Sequence, residues 1–583
     1  MLLTKSSATP AILLSASSAL LAIASCLFFM ALVGVVSYVK TRGEAASKDG
    51  YFLAGHGLSA PFIAGSLLLT NLSAEQMIGL NGSAYGANLS SMAWEVTAAF
   101  ATILMALYFL PRYLAGAFTT LPEFLSARFD DDVRRMTAVL FMAGYGLVTI
   151  PSVLYSGSVA VMQIFDVPAA TGLDYFPALV LTIVATGVVG AIYAIFGGLR
   201  AVAVSDTLNG VGLLAIGILT PVLGLAALGA GDPGAGLQKL MAEHPDKLNA
   251  IGAPSDPTPF GTIFTGMIFA NLFYWCTNQY VIQRTLGAAS LAEGQKGVLF
   301  AGYFKLLVPF MMMIPGVIAF HLYGPGLERV DQAYPRLIRD HMPVYLTGFF
   351  LAVFLGAVFS SFNSLLNSAA TLFTLDLYAP LQKKKMSDAA LIRNAKQVGV
   401  AIALFSFAAA PMLHFAEEGL WQVVRVFTGF YNIPMIAIVL VGLLTKKTPA
   451  IGAKIVIVFH VVAYGLLRFV FDDVVTLHFL HQYAILFAIE VTIMLAAGAA
   501  RPRLATTAPA PANTVDLAPW RFAAPCAATL FSGVITLYLL FSDFGVASGR
   551  GLSAGFLSAI GVIAAANIVI WIVAARRQTR PNA

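Results

Sequence analysis

The sequence predicts an all-α polytopic membrane protein. Hydrophobic residues make up 59% of its 583 residues and charged residues only 11%, whereas about a quarter of the residues in soluble proteins are charged. Apolar runs long enough to cross a bilayer recur along the chain, and the alternating pattern of a membrane β-barrel is absent from the sequence. The net charge of +6 does not indicate a nucleic-acid partner, because the basic residues lie in short loops between apolar runs.

Fifteen apolar runs qualify as candidate membrane helices, since each is close to or above the ~20 residues that span a bilayer. They lie near residues 11–39, 59–84, 90–111, 136–165, 173–196, 201–229, 260–283, 297–323, 344–375, 397–415, 420–444, 451–471, 475–499, 522–541 and 552–575. If the N-terminus is outside, most of the 34 Lys and Arg residues fall in cytoplasmic loops and in the C-terminal tail. The positive-inside rule therefore predicts an external N-terminus and a cytoplasmic C-terminus.

The second run carries polar residues at mid-depth. Asn71, Ser73, Glu75 and Gln76 lie in the middle of SAPFIAGSLLLTNLSAEQMIGLNGSAY, residues 59–85. Polar groups inside a membrane are costly and tend to mark a substrate or ion path. Two interpretations are open: a broken helix whose freed carbonyls line a transport site, or a continuous helix whose polar side faces its neighbours.

The seventh run echoes the second, because Asn271, like Asn71, is followed by a leucine. An inverted repeat with paired broken helices would leave such an echo. Asn271, Tyr274, Trp275 and Asn278 share one face of the seventh helix. Aromatic faces beside amide groups suit a sugar, which needs stacking for its C–H face and both donors and acceptors for its hydroxyls. The alternative is an aromatic belt at the membrane interface.

The ninth run is rich in small polar residues, among them Ser360, Ser361 and Ser364. This pattern favours either close helix packing or a site for a hard cation such as sodium, which prefers oxygen ligands. The three cysteines predict neither a disulfide framework nor a metal cluster.

Single charges also fall within or near the membrane helices, where each one alone is best explained by a structural pair, although several in one bundle favour a polar cavity. They are Glu95, Asp206, Lys305 and Arg425.

The sequence contains no Walker loop, metalloprotease motif or nucleophile elbow, so no catalytic residue is predicted. An ion gradient would therefore have to supply the energy for transport.

Several motifs between residues 51 and 450 carry a resemblance to a known family. They are YFLAGHGLSAPFIAGSLLLTNLSAEQMIG, TLPEFLSARF, SVLYSGSVA, IYAIFGGLRAVAVSDTLNG, ANLFYWCTNQYVIQRTL, EGQKG and SSFNSLLNSAATLFTLDLY. The sequence resembles the sodium/solute symporter family, and within it the bacterial sodium/galactose (sodium/glucose-type) cotransporters. This resemblance implies a five-plus-five inverted-repeat, LeuT-like core with extra flanking helices that works by alternating access.

The predicted organisation follows the chain in order. Residues 1–50 form an extra N-terminal transmembrane helix, 51–228 the first five-helix repeat, 229–259 an outer loop, 260–445 the second five-helix repeat, 446–499 two peripheral helices, 500–519 a cytoplasmic Pro/Ala-rich linker, and 520–583 two C-terminal helices with a basic tail.

The resemblance also implies roles for individual residues. The sugar site would comprise Asn71, Gln76, Trp94, Glu95, Tyr145, Asn271, Tyr274, Trp275, Lys305 and Arg425, with Tyr274 stacking under the sugar as an inner gate. Sodium would be held by the carbonyls of Leu69, Leu72 and Ala357 and by the hydroxyls of Ser360 and Ser361. Asp206, together with Ser364, would form a sodium release route or a second sodium site.

The sequence departs from the galactose transporters at three positions around the sugar. Trp94 stands in place of a tyrosine, Ala98 in place of a serine and Arg425 in place of a glutamine. Three interpretations of Arg425 are open: a donor to the hydroxyls of a neutral sugar, a clamp for the carboxylate of an acidic sugar, or a structural partner of Glu95.

We therefore predict a sodium-coupled monosaccharide symporter in the bacterial inner membrane. Its partners would be a small sugar, Na⁺ as the coupling ion and the lipid bilayer, without a further cofactor and without nucleic acid. The alternatives are sodium-coupled uptake of a uronate or of a polyol such as inositol, a transporter-like sugar sensor, and a membrane enzyme. The identity of the sugar, the number of sodium ions and the oligomeric state are left open.

Overall fold

The computed structural model describes residues 16–41, 47–165, 167–327, 329–415, 420–503 and 515–576. Within these ranges the chain is helical, with two isolated bridges and no strand, which confirms the all-α class. The helices up to residue 243 are α1 (Ala16–Thr41), α2 (Lys48–Leu53), α3 (Ala60–Asn71), α4 (Ala74–Gly86), α5 (Met92–Val96), α6 (Ala98–Leu104), α7 (Leu110–Ala115), α8 (Leu121–Arg128), α9 (Asp131–Ala143), α10 (Ile150–Phe165), α11 (Val167–Thr171), α12 (Tyr175–Leu228) and α13 (Pro233–Glu243). The later helices are α14 (Gly266–Leu272), α15 (Gln279–Leu286), α16 (Leu291–Val308), α17 (Ile314–Tyr323), α18 (Ala333–His341), α19 (Val344–Thr371), α20 (Asp388–Ala409), α21 (Leu420–Leu444), α22 (Ala450–Phe469), α23 (Phe479–Ala500), α24 (Ala523–Leu540) and α25 (Ala554–Arg576).

The described helices account for the fifteen predicted membrane spans. Thirteen helical segments are long and apolar enough to cross a membrane, and two of these, Tyr175–Ile192 and Leu199–Leu228, lie within α12. The second and seventh predicted spans are not among the thirteen, because each is divided into two short helices: α3 with α4, and α14 with α15.

Some predicted segments lie outside the described residues. These are residues 1–15, the central part of the predicted linker (504–514) and the tail after Arg576.

The break between α3 and α4 frees backbone carbonyls. Leu72 leaves the helical region, with φ −82° and ψ 72°, and Ser73 is extended. The Ser73 and Gln76 amides donate to the carbonyls of Asn71 and Ser73, so the carbonyls of Leu69 and Leu72 lose the donors that a continuous helix would supply. Irregular backbone at membrane depth is tolerated where it lines a protein cavity, and of the two interpretations of this stretch the broken helix is correct.

The break in the seventh span has a different form. After α14 ends at Leu272, residues Phe273–Thr277 form a π-helical turn, and Asn278 is extended (φ −73°, ψ 117°) before α15 begins. The break therefore follows Asn71 closely in one span but comes one π turn after Asn271 in the other. The asparagine–leucine echo identifies the two broken spans, although not the residues at which they break.

The centre of the bundle is α19, which is buried along most of its length. It packs against α1, α3, α10 and α12. At the other end of the chain, α24 packs against α16, while α25 packs on α24 and is mostly exposed. The chain before α24 is tied to the start of α16 by bonds from the Leu291 amide to the Asp516 carbonyl (2.8 Å) and from the Trp520 amide to the side chain of Gln295 (2.7 Å).

Arg128, the last residue of α8, binds the C-terminal end of α21. Its guanidinium donates to the carbonyls of Gly442 (2.8 Å), Thr445 (2.8 Å) and Thr448 (3.2 Å). The last carbonyls of a helix lack donors within the helix and favour a nearby cation. Burial, and then the positive charge of Arg503, lower the pKa of Arg128 to about 10, so the side chain remains charged at neutral pH.

Arg128→Gln should destabilise the protein by about 1.5–3 kcal/mol, the typical contribution of hydrogen bonds to a charged group. Thermal unfolding of the purified protein in detergent, followed by tryptophan fluorescence, measures the change. The matched control is Arg135→Gln, because Arg135 makes only an exposed contact of 3.6 Å with Asp132, and such pairs contribute little. Equal melting temperatures for the two variants would contradict a capping role for Arg128.

Candidate functional site

A polar cavity lies where the two broken spans meet. Its wall is formed by the breaks themselves together with α5, α10, α19, α21 and α23. The lining residues are Thr70, Asn71, Ser73, Glu75, Gln76, Trp94, Glu95, Thr149, Val153, Ala270, Asn271, Phe273, Tyr274, Trp275, Asn278, Tyr280, Ser361, Leu365, Val424, Thr428, Tyr431, Asn432 and Tyr483.

The cavity has the size of a small polar solute. The space open to the centre of a water molecule is about 100 Å³. This is room for several waters, and therefore for one small polar solute.

Most of the predicted sugar-site residues lie on this wall, namely Asn71, Gln76, Trp94, Glu95, Asn271, Tyr274 and Trp275. Tyr145 and Lys305 lie behind it. Arg425 belongs to α21, but its side chain is outside the part of the protein that the structure describes.

Lys305 acts on the cavity through two residues of its wall. The two side chains form a hydrogen-bonded ion pair and are 1% and 3% exposed. The Lys305 Nζ also lies 5.4 Å from the centre of the Trp275 ring, within the range of a cation–π contact. Lys305 therefore fixes two residues of the wall, while the carboxylate of Glu95 is the group that borders the cavity.

Tyr145 also acts on the cavity through another residue. Its ring is fully buried, and its hydroxyl donates to the amide oxygen of Asn278. Asn278 in turn lines the cavity at the break before α15, so Tyr145 orients an amide of the wall.

Tyr274 and Trp275 occupy the π turn of the second break. Their rings meet edge to face, with centroids 5.6 Å apart, and Tyr280 packs on the other side of Tyr274 at 5.8 Å. The Tyr274 hydroxyl lies beside the side chains of Tyr280 and Asn71. Tyr274 thus connects the two breaks at the cavity wall.

The cavity wall is rich in hydrogen-bond acceptors. Four buried side-chain oxygens on it have no hydrogen-bond partner among the described residues: those of Asn71, Ser73, Gln76 and Asn432. Glu75 adds a carboxylate to the same wall. A buried polar group without a partner is costly, so these oxygens indicate a site that receives hydroxyl donors.

Sequence reasoning did not assign several lining residues to the site. Glu75 was noted only as a polar residue of the second span, and Thr428 and Asn432 could have been found from their helical spacing to Arg425. Tyr483 carried no signal, because α23 follows the predicted repeats and was expected to be peripheral. The structure brings its side chain to the cavity nevertheless.

The five predicted sodium-binding residues lie on two packed helices. Leu69 and Leu72 provide the carbonyls freed at the first break, and Ala357, Ser360 and Ser361 lie on α19, which packs against α3. The Ser361 hydroxyl donates to the carbonyl of Thr70 at 3.4 Å. The buried Ser360 hydroxyl lies beside the Asp206 carboxylate.

A guanidinium lies between the two residues of the predicted second sodium site. Arg284 Nη2 donates to the Ser364 hydroxyl, Nε donates to Ser66 at 2.8 Å, and the carboxylate of Asp206 lies 3.8 Å away. Ser66 donates to the same carboxylate at 2.5 Å, and Ser364 donates to the carbonyl of Ser360 at 2.5 Å. Arg284 is the residue that sequence reasoning missed here, although it lies within the motif ANLFYWCTNQYVIQRTL.

Comparison with known proteins agrees with this architecture. The profile of the sodium:solute symporter family matches residues 51–458. The chain is 40% identical over 548 residues to the uncharacterized symporter YidK of Escherichia coli K12, covering 94% of each chain. It is 32% identical over 451 residues to the sodium/glucose cotransporter of Vibrio parahaemolyticus, covering 73% of this chain and 81% of that one.

A solved structure of a Na⁺-coupled sialic acid symporter, in a substrate-bound outward-open state, has a similar fold. It superposes with a TM-score of 0.71 and 21% identity over 83% of this chain and 99% of that chain. At this level of identity the similarity concerns the fold, and it agrees with a LeuT-like transporter core.

Proposed function

Because the chain belongs to the sodium:solute symporter family, we propose that it imports a neutral monosaccharide together with sodium by alternating access. It is a multi-pass membrane protein and a sodium-coupled solute symporter, and its family and fold are those of transporters rather than enzymes. The sugar is the proposed part. The observation that carries it is a polar cavity of about 100 Å³ that combines aromatic rings with buried acceptors that have no partner among the described residues.

The acceptors favour a neutral sugar over a uronate. Sugar hydroxyls donate hydrogen bonds, whereas a carboxylate only accepts them. The amides of Asn71, Gln76 and Asn432 can serve either solute, because each also carries an NH₂ group. The carboxylate of Glu95, which pairs with Lys305 at the cavity wall, can only accept hydrogen bonds and therefore suits the hydroxyl donors of a neutral sugar. A neutral polyol such as inositol shares the hydroxyls of a sugar and is the second candidate.

Sodium would bind at the first break. A hard cation prefers oxygen ligands, and the freed carbonyls of Leu69 and Leu72 belong to the span that packs against α19, which carries the hydroxyls of Ser360 and Ser361. No group of three His, Cys, Asp or Glu side chains in the described chain is arranged for a metal, so these neutral oxygens are the best candidates. We further propose one sodium per cycle, because Arg284 already supplies the positive charge between Asp206 and Ser364.

The membrane potential and the sodium gradient would both drive uptake. One sodium ion supplies about 2.3 kcal/mol per 100 mV and about 1.4 kcal/mol per tenfold concentration gradient. Two of the relatives are bacterial, which favours the inner membrane as the location. The basic loops favour an external N-terminus and a cytoplasmic C-terminus.

Uptake by the purified protein in proteoliposomes tests the proposal. The panel contains radiolabelled hexoses, inositol and a hexuronate, each with an inward sodium gradient and with choline in place of sodium. We expect sodium-dependent accumulation of at least one neutral hexose and none of the uronate. Accumulation of the uronate alone would overturn the neutral-sugar proposal, and binding without transport would favour a sensor.

Ser361→Ala should raise the sodium concentration for half-maximal uptake by about tenfold, equivalent to ~1.4 kcal/mol, because one of the proposed ligands is removed. The matched control is Ser406→Ala on α20, since that buried hydroxyl bonds only to the Ile402 carbonyl in its own helix (2.8 Å). Initial uptake rates across a sodium titration give both values. An unchanged sodium response in Ser361→Ala would remove this serine from the site.

A further inference from the structure

A helix outside the two predicted repeats forms part of the cavity wall. Tyr483, on α23, lines the cavity and is only 1% exposed. It belongs to a small apolar cluster, separate from the main core, in which α5, α14, α21, α22 and α23 meet. The wall of the cavity therefore includes a helix that follows the two predicted repeats.

The N-terminal end of α23, which carries Tyr483, also contacts Trp94. Phe479 stacks on the Trp94 ring, with centroids 6.4 Å apart and an interplanar angle of 14°, and Tyr483 packs edge-on against Phe479 at 5.5 Å. Trp94 is one of the positions at which the sequence departs from the galactose transporters. Its contact with α23 means that the two elements shape one side of the cavity together.

The hydroxyl of Tyr483 is held from behind by Tyr464 on α22, with which it shares a side-chain hydrogen bond. Tyr464 is fully buried and stacks on His460 at 5.6 Å. A Cβ at Gly429 of α21 would lie only 2.3 Å from the Tyr464 hydroxyl, so a glycine is required there. A phenol can donate once and accept twice, so one phenol can bond to Tyr464 and to a solute hydroxyl at the same time.

A buried pair joins the three helices behind this wall. His460 Nδ1 lies 2.5 Å from the Glu490 carboxylate, and its Nε2 lies 2.9 Å from the carbonyl of Gly429. Since a carbonyl only accepts, Nε2 carries the proton and donates a hydrogen bond to the Gly429 carbonyl of α21. Both side chains are completely buried. The pair thus links α22 to α23 on one side and to the cavity-lining helix α21 on the other.

We propose that Tyr483 is a substrate-contacting residue that determines specificity among polyhydroxylated solutes, and that His460 and Glu490 are positioning residues that hold it against α21. This proposal rests on the proposed function. A site that hydrogen-bonds a solute hydroxyl discriminates strongly against an analogue that lacks it, because the buried partner is then left unpaired.

The first test is Tyr483→Phe in the full-length protein in proteoliposomes. For the preferred hexose, we expect KM to rise about tenfold. The deoxy analogue that lacks the contacted hydroxyl should have a higher KM than the parent sugar in the wild type but an equal KM in the variant. The sodium concentration for half-maximal uptake should not change. The matched control is Tyr303→Phe, whose hydroxyl bonds to the Cys526 carbonyl between α16 and α24 (2.8 Å).

Two outcomes separate this inference from the function on which it rests. If the wild-type protein shows no sodium-dependent uptake of any neutral hexose or inositol, the proposed function fails. If the wild-type protein transports but Tyr483→Phe keeps both its KM values and its ranking of deoxy analogues, the inference about Tyr483 is wrong while the proposed function stands.

The second test addresses the positioning pair with His460→Gln and Glu490→Gln. Each should raise KM severalfold with little change in maximal rate, and neither should raise KM further in a Tyr483→Phe background, because residues that act through one another are not additive. If His460→Gln fails to fold, Glu490→Gln alone carries the test, since it keeps the shape of the side chain. KM effects that add in the double variant would overturn the positioning role.

Discussion

Lys305→Ala should lower the initial rate of uptake by at least about hundredfold, although the protein still inserts into the membrane. Removing one partner of a buried ion pair costs about 3–5 kcal/mol of stability. A displaced Glu95 that raises the barrier of the transport cycle by about 2.7 kcal/mol would lower its rate about hundredfold. Here the uncompensated charge would be Glu95, which borders the cavity. The variant would have to protonate this carboxylate or rearrange it, and in either case the wall would lose an acceptor for sugar hydroxyls.

A double variant separates the structural role of the pair from its role in transport. Glu95→Gln with Lys305→Met removes both charges and should recover the thermal stability that Lys305→Ala loses, while uptake stays low. Lys296→Ala is the control for the loss of a lysine, since Lys296 pairs with Glu293 at 2.7 Å in a partly exposed position on the same helix. Uptake at the wild-type rate by the double variant would show that the pair serves only packing.

The broken second and seventh spans were predictable because their signal is local. Asn71, Ser73 and Gln76 interrupt an apolar run within a few residues, and the freed carbonyls follow from that interruption. The apolar runs likewise predict the membrane helices, since length and composition are enough to define them. Local patterns also indicated Asn271, Tyr274 and Trp275, which lie on the cavity wall, whereas Trp94 and Glu95 were assigned to the site through the family resemblance.

Contacts between distant parts of the chain were not predictable from one sequence. Arg284 and Asp206 are far apart along the chain, so no local pattern indicates the contact between them. The family resemblance implied only that Asp206 belongs to a sodium release route or to a second sodium site. The same limit applies to Lys305, whose contact with Glu95 makes it a support of the wall. Tyr483 was missed for a related reason, because nothing in the sequence of α23 indicates which of its neighbours it faces.

Tyr274→Ala should remove most of the transport activity, whereas Tyr274→Phe should keep it within about tenfold of the wild type. The ring provides the face on which a sugar can stack and is packed between Trp275 and Tyr280. The alanine variant loses this face and so loses the stacking contact with the sugar. The phenylalanine variant keeps the face and loses only the hydroxyl beside Asn71 and Tyr280.

Tyr345→Ala is the control for this pair of variants, because Tyr345 lies at the start of α19 and is 68% exposed. Uptake and solute-driven exchange should both be measured, since a gate that no longer closes would let the solute exchange while accumulation fails. We expect Tyr274→Ala to lose accumulation more completely than exchange, and Tyr274→Phe to lose neither. If both variants accumulate the sugar equally well, the aromatic face is not needed, and the stacking and gating role of Tyr274 is wrong.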